Sequence, residues 1–151
     1  HAIQPDGVCC LSGREGEVLI LSFEDGTLTE GTLSQKSLLQ LLRDGLVKNA
    51  EVVGAHMLAG ARALMEKHAL IGDVRGRGLM IGIELVRDRQ TKERATTERD
   101  AVVRDAFARG LLLLGAGQNS IRISPPLVLT KGQADTALGI LDQALTVVSA
   151  R

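Results

Sequence analysis

One alternating strand that ends on two prolines does most to limit what this chain can fold into. In Ser120-Ile121-Arg122-Ile123-Ser124-Pro125-Pro126-Leu127, Ile121 and Ile123 point to one face, while Ser120, Arg122 and Ser124 point to the other. The isoleucines require a core on their side. Proline has no N–H for a sheet ladder, so the strand stops at Ser124. Arg122 therefore looks outward or into a cleft. A guanidinium on a rigid strand can grip a carboxylate through two parallel hydrogen bonds. An ordinary exposed strand arginine is the plain alternative.

The rest of the chain supplies helices to cover that strand. From Ser34, a candidate N-cap, Leu38, Leu41 and Leu42 recur at helical spacing until Gly45 interrupts. A longer helix is expected from about Leu46 to Lys67, with Val53, Met57, Gly60 and Leu64 on one stripe. Glycines 72, 76 and 78 read as a tight turn before a buried strand over 79–86. Arg87 to Arg99 reads as an exposed charged loop. Thr97 and Asp100 are spaced as a capping box for a helix over Glu98 to Arg109, which Gly110 would stop. Leu111–Leu114 reads as a strand and Gly115-Ala116-Gly117 as a turn. Thr130 and Gln133 form a second capping box, ahead of a helix with Ala134, Leu138, Leu141, Leu145 and Val148 on one face. Ahead of all this, residues 1–33 differ in texture. Val18-Leu19-Ile20-Leu21 and a turn at Glu24-Asp25-Gly26-Thr27 suggest a small hairpin. The expected fold class is α/β: a two-layer sandwich of a small, mainly antiparallel sheet with helices on one face.

Several functions are disfavoured by residue type. The chain has 151 residues, zero formal net charge and only two aromatic residues, both Phe. It thus has neither a basic field for phosphate backbones nor rings for stacking bases, and no nucleic-acid partner is expected. No apolar run is long enough to cross a bilayer and none reads as a signal peptide, so no membrane partner and a cytoplasmic setting are expected. Adjacent Cys9 and Cys10 resist bridging each other and make no Cys-x-x-Cys pair. A dinucleotide fingerprint starting at Gly76 and Gly78 would need glycine at position 81, where Ile81 stands, and would have to open a helix rather than a strand. His56 and His68 lack metal-pair spacing and read as half-exposed helix residues. The charges over 84–105 read as a solvated face.

Four segments carry a resemblance: Gly45-Leu46-Val47-Lys48-Asn49-Ala50, then Ile71-Gly72-Asp73-Val74-Arg75-Gly76-Arg77-Gly78-Leu79-Met80-Ile81-Gly82-Ile83-Glu84-Leu85, then Arg109-Gly110-Leu111-Leu112-Leu113-Leu114, and the Arg122 strand. In this order they resemble the C-terminal small domain of class III pyridoxal-phosphate-dependent aminotransferases, the family of the 4-aminobutyrate, acetylornithine and ornithine enzymes. The resemblance places a small domain at 34–151 and leaves 1–33 outside it. It implies that Arg122 faces the active-site cleft of the intact enzyme and binds a substrate carboxylate. It also implies transfer of an amino group between an amino acid or ω-amine and a 2-oxo acid. The family's large domain has no counterpart here. None of the five lysines (Lys36, Lys48, Lys67, Lys92, Lys131) lies in a segment resembling the one that holds the cofactor. The expectation is therefore a fragment or isolated small domain, inactive alone and binding no cofactor by itself. Its partners would be a carboxylate-bearing small molecule and either a second copy or the missing large domain. The competing reading is a non-catalytic binding module for a carboxylate metabolite or a partner protein.

Overall fold

The computed structural model describes residues 7–12, 17–24, 27–34, 40 and 42–150. The chain divides into two compact units, residues 1–48 and 49–151.

In the first unit, β1 (Gly7–Ser12), β2 (Glu17–Glu24) and β3 (Thr27–Ser34) form an antiparallel meander in that order. The expected hairpin thus gains a third strand, which contains both cysteines. The β2–β3 ladder runs from Glu17↔Ser34 to Glu24↔Thr27, and the expected turn at Asp25-Gly26 lies outside the described residues. Ser34 ends β3 in the ladder. The helix expected after it falls on residues 35–41, of which only Gln40 is described. Leu42–Leu46 forms a π-helical turn, with Gly45 at φ +123°.

The second unit follows the periodicity closely. α1 (Val47–Lys67) buries Val53, Gly54, Met57 and Ala61. The glycine-rich stretch is not merely a turn. It forms β4 (Ile71–Arg77), antiparallel to β5 (Met80–Asp88). Only Gly78, at φ +54°, needs left-handed backbone to reverse the chain. The expected charged loop contains a two-residue strand, β6 (Glu93–Arg94), paired with the end of β5. α2 (Thr96–Ala108) starts without the expected capping box: its N-cap is Ala95, and no side chain caps it. Asp100 is instead hydrogen-bonded by Arg99 Nε at 2.7 Å. β7 covers Leu114–Ala116, three residues later than expected, because its partner positions on β8 (Ser120–Ile123) are Arg122, Ile121 and Ser120. α3 (Lys131–Ser149) has the expected box: Gln133 N donates to Thr130 Oγ1, and Thr130 N donates to Gln133 Oε1 at 2.9 Å.

The sheet order is β4-β5-β8-β7. Ile81 faces Ile123 and Ile83 faces Ile121 across β5 and β8, and all four are buried. Together with Leu85 they meet Val53, Met57 and Ala61 of α1, Val102 and Ala106 of α2, and Leu141 and Leu145 of α3 in one apolar core. The helices cover this face, which is the two-layer α/β arrangement read from the sequence.

Close approach fixes α1. A Cβ on Gly54 would lie 2.2 Å from the backbone carbonyl of Gly78 at the β4–β5 turn. A Cβ on Gly60 would instead meet the tip of Leu138, a side chain that can rotate away. The end of α1 is held by charge. Arg89 donates to the carbonyls of Met65, His68 and Ile71, placing a cation where the helix dipole is negative. His68, expected to be half-exposed, is buried, with Nε2 2.6 Å from Asp142 of α3. Asp142 also accepts from Lys67 Nζ at 2.6 Å. Lys67 first and His68 second hold the Asp142 carboxyl below its usual range.

Gly54→Ala is expected to destabilise the protein by about 1–3 kcal/mol through overpacking against backbone, although alanine favours helix. Gly60→Ala should be far milder, and urea denaturation of both variants checks this contrast. Asp142→Ala leaves buried His68 without its partner and should cost about 1–3 kcal/mol near neutral pH. Because the folded carboxyl titrates low, wild type keeps this advantage above the ordinary carboxylate range. It loses the advantage as pH falls through the depressed folded value, which unfolding measured down an acid series would show.

Candidate functional site

The alternation that buries Ile121 and Ile123 puts Arg122 on the uncovered side of the sheet. It pairs with Gly82 on β5 and Leu114 on β7. With Arg122 on this open face stand Asp73, Arg75 and Arg77 of β4, Met80, Gly82 and Glu84 of β5, and Ser120 beside it on β8.

The charges on this face are not equivalent. Arg75 Nη1 is 2.5 Å from Asp73 and 3.1 Å from Glu84, and these two carboxylates, Asp73 first, hold its guanidinium more firmly protonated than usual. Arg75 is thereby committed. Arg122 is exposed and makes no hydrogen bond or ion pair with any described residue. A strand backbone fixed on both edges holds its root in place, while its guanidinium keeps all its donors available.

Arg122 stands between two recesses. One is an apolar cleft of about 450 Å³ bordered by Met57, Leu113, Ile123, Pro126, Leu138 and Leu141. The other is a broader groove of about 640 Å³ on the open face, bordered by Arg77, Met80, Gly82, Ala116 and Arg122. The proline segment separating strand from helix is tied to α1. Asn49 Nδ2 donates to Leu127 O at 2.7 Å and to Leu129 O at 2.9 Å. Nothing in the local pattern around Asn49 announces this. It is a contact between residues 78 and 80 positions apart, visible only once α1 and the segment are packed together.

Other polar groups are structural. Asn119 is buried and donates to Leu85 O at 2.7 Å, continuing the β5–β8 seam past its last pair. Arg87 reaches Glu98 at 2.8 Å and Glu93 at 3.0 Å, so the solvated charge face also ties α2 to β6. Among the described residues there is no cluster of three or more groups able to hold a metal ion, and no helix is long and apolar enough to cross a membrane.

The described lysines do not suit a bound aldehyde cofactor. Lys67 is engaged by Asp142. Lys48 and Lys131 are exposed on helices. Lys92 borders a small polar recess with Asp73, Glu84 and Arg89. None borders either recess beside Arg122. The described residues therefore do not fit pyridoxal phosphate by themselves, since that chemistry needs an amine in the cleft.

Replacing Asn49 by alanine should loosen the proline segment. Amide exchange at Leu129, whose N–H bonds to Pro126 O at 3.0 Å, is expected to quicken by about tenfold as two hydrogen bonds to the segment are lost.

The comparisons with known proteins agree with one another. The family model for aminotransferase class-III matches residues 28–145. A hypotaurine/taurine–pyruvate aminotransferase from Paracoccus denitrificans is 38% identical over 133 residues, covering 83% of this chain and 29% of its own length. A mitochondrial alanine–glyoxylate aminotransferase 2 homologue from Arabidopsis thaliana is 41% identical over 106 residues, covering 69% and 22%. A leucine/methionine racemase from Thermococcus litoralis is 38% identical over 103 residues, covering 68% and 23%. An aminotransferase structure from Bacillus anthracis superposes with a TM-score of 0.69 at 28% identity, over 74% of this chain and 26% of that one. An amine transaminase from an uncultivated Pseudomonas species, solved in its PLP-bound form, gives 0.65 at 35% identity over 70% and 24%. The chain spans about a quarter of the length of these relatives.

Proposed function

Because this chain belongs to the class III aminotransferases, we propose that residues 34–151 are the small domain of such an enzyme and present Arg122 to the substrate carboxylate. The observation that carries this reading is the unpartnered guanidinium between two recesses on a sheet whose other face is sealed by helices. A carboxylate fits Arg122 bidentately, and the apolar cleft beside it suits the carbon skeleton that follows. The amino-group transfer would run between an amino acid or ω-amine and a 2-oxo acid, in line with the names of the relatives. Pyridoxal phosphate would supply the electron sink, held by residues outside this chain. The chain's own part is binding and orientation, which is worth rate only when the rest of the enzyme surrounds the substrate.

The whole-protein reading includes a partner. Leu112 and Leu114 are exposed beside the cleft, and Val128 lies on the proline segment. Such side chains suit burial under the large domain or a second copy. A cytoplasmic setting accords with the absence of a membrane-crossing helix among the described residues.

Two measurements test this. Incubation with pyridoxal phosphate, borohydride reduction and mass spectrometry should give scattered substoichiometric adducts. A single stoichiometric lysine adduct would overturn the assignment of the cofactor to residues elsewhere. Titration with butyrate, followed by NMR, should shift the Arg122 region in wild type, and Arg122→Gln should weaken this by about tenfold or more, as expected for a lost charge-assisted hydrogen bond. Equal binding by both proteins would remove Arg122 from the site.

A further inference from the structure

We propose that Arg77 is a second anion anchor on the open face, so that the groove holds a short dianion by both ends. The inference rests on Arg122 being the first anchor.

Arg77 and Arg122 border the same groove, both exposed. Like Arg122, Arg77 makes no hydrogen bond or ion pair with any described residue, whereas Arg75 between them along the sheet is consumed by Asp73 and Glu84. The register sets their spacing. Arg122 pairs with Gly82, and Gly82 pairs with Arg75; Arg77 lies two residues further along β4, opposite Met80. Two strand spacings across and two residues along place the two Cα atoms about 12 Å apart. Between them on β5 stand Gly82, which has no side chain to fill the space, and Met80 opposite Arg77, while the committed Arg75 also borders the groove.

A groove with a cation at each end and an apolar floor selects for an anion at each end of an apolar spacer. A single carboxylate satisfies one guanidinium and leaves the other unmatched. An α,ω-dicarboxylate satisfies both and lays its methylenes on Gly82. Arg77 is then a specificity-determining residue. It should favour dianionic over monoanionic ligands without being needed to bind the first carboxylate.

The test uses the full chain at constant ionic strength, with glutarate and butyrate as probes and glutaramide as the neutral control. Wild type should bind glutarate about tenfold or more tightly than butyrate, the usual gain from one further charge-assisted hydrogen bond. Arg77→Gln should erase that preference and leave butyrate affinity unchanged. Arg77 is exposed, so the variant should unfold at the wild-type midpoint. Arg122→Gln should weaken both ligands. If glutarate binds no better than butyrate, or if its advantage survives Arg77→Gln, the second anchor is overturned while the Arg122 reading stands. If butyrate binding is indifferent to Arg122→Gln, the underlying reading fails instead.

Discussion

The pairing of β5 with β8 is the constraint on which the rest depends. Because side chains alternate along a strand, the register that puts Ile81 on Ile123 and Ile83 on Ile121 also puts Gly82 on Arg122. A slip by one residue would bury a guanidinium among isoleucines and expose the core. The cost of an unpaired buried charge forbids that slip. One decision about hydrophobic burial therefore also decides where the cation stands. The position of Arg122 is a consequence of the core rather than an addition to it.

Around this seam, charge is either spent or kept. Asp73 and Glu84 neutralise Arg75, and carbonyls of α1 and the following turn absorb Arg89. Asp142 takes both Lys67 and His68. These contacts join consecutive and distant elements alike: β4 to β5, the end of β5 to the end of α1, α1 to α3. On the open sheet face, Arg122 and Arg77 are left out of this web. A cation bound internally has little left to offer a ligand, and on that face this leaves these two guanidinium groups.

The two recesses beside Arg122 are largely apolar with guanidinium borders, and among the described residues no lysine lines them. Such a surface suits the binding and alignment of a carboxylate, the part proposed for it. The chain spans about a quarter of its relatives' length.

The sequence by itself determined the elements whose signal is local and repeated. The Ile121/Ile123 alternation, the stripe from Val53 to Leu64, the Thr130–Gln133 box and the stop at Gly110 each follow from a few neighbouring residues, and each is present in the fold. Ordered motifs were equally legible, which is why the family could be read before any coordinates. Tertiary structure decided what depends on distant partners. Residues 71–77 are a strand because β5 lies beside them, although their glycines read as a turn. The Thr97–Asp100 box is not formed, since the helix already starts at Thr96 with Ala95 as its N-cap and Thr97 lies inside the first turn. His68 is buried because α3 brings Asp142 to it. Arg77 became a candidate anchor only when the hairpin folded it onto the groove that Arg122 borders. Periodicity reports which face is apolar; it carries no record of which charges will find one another once the faces are packed.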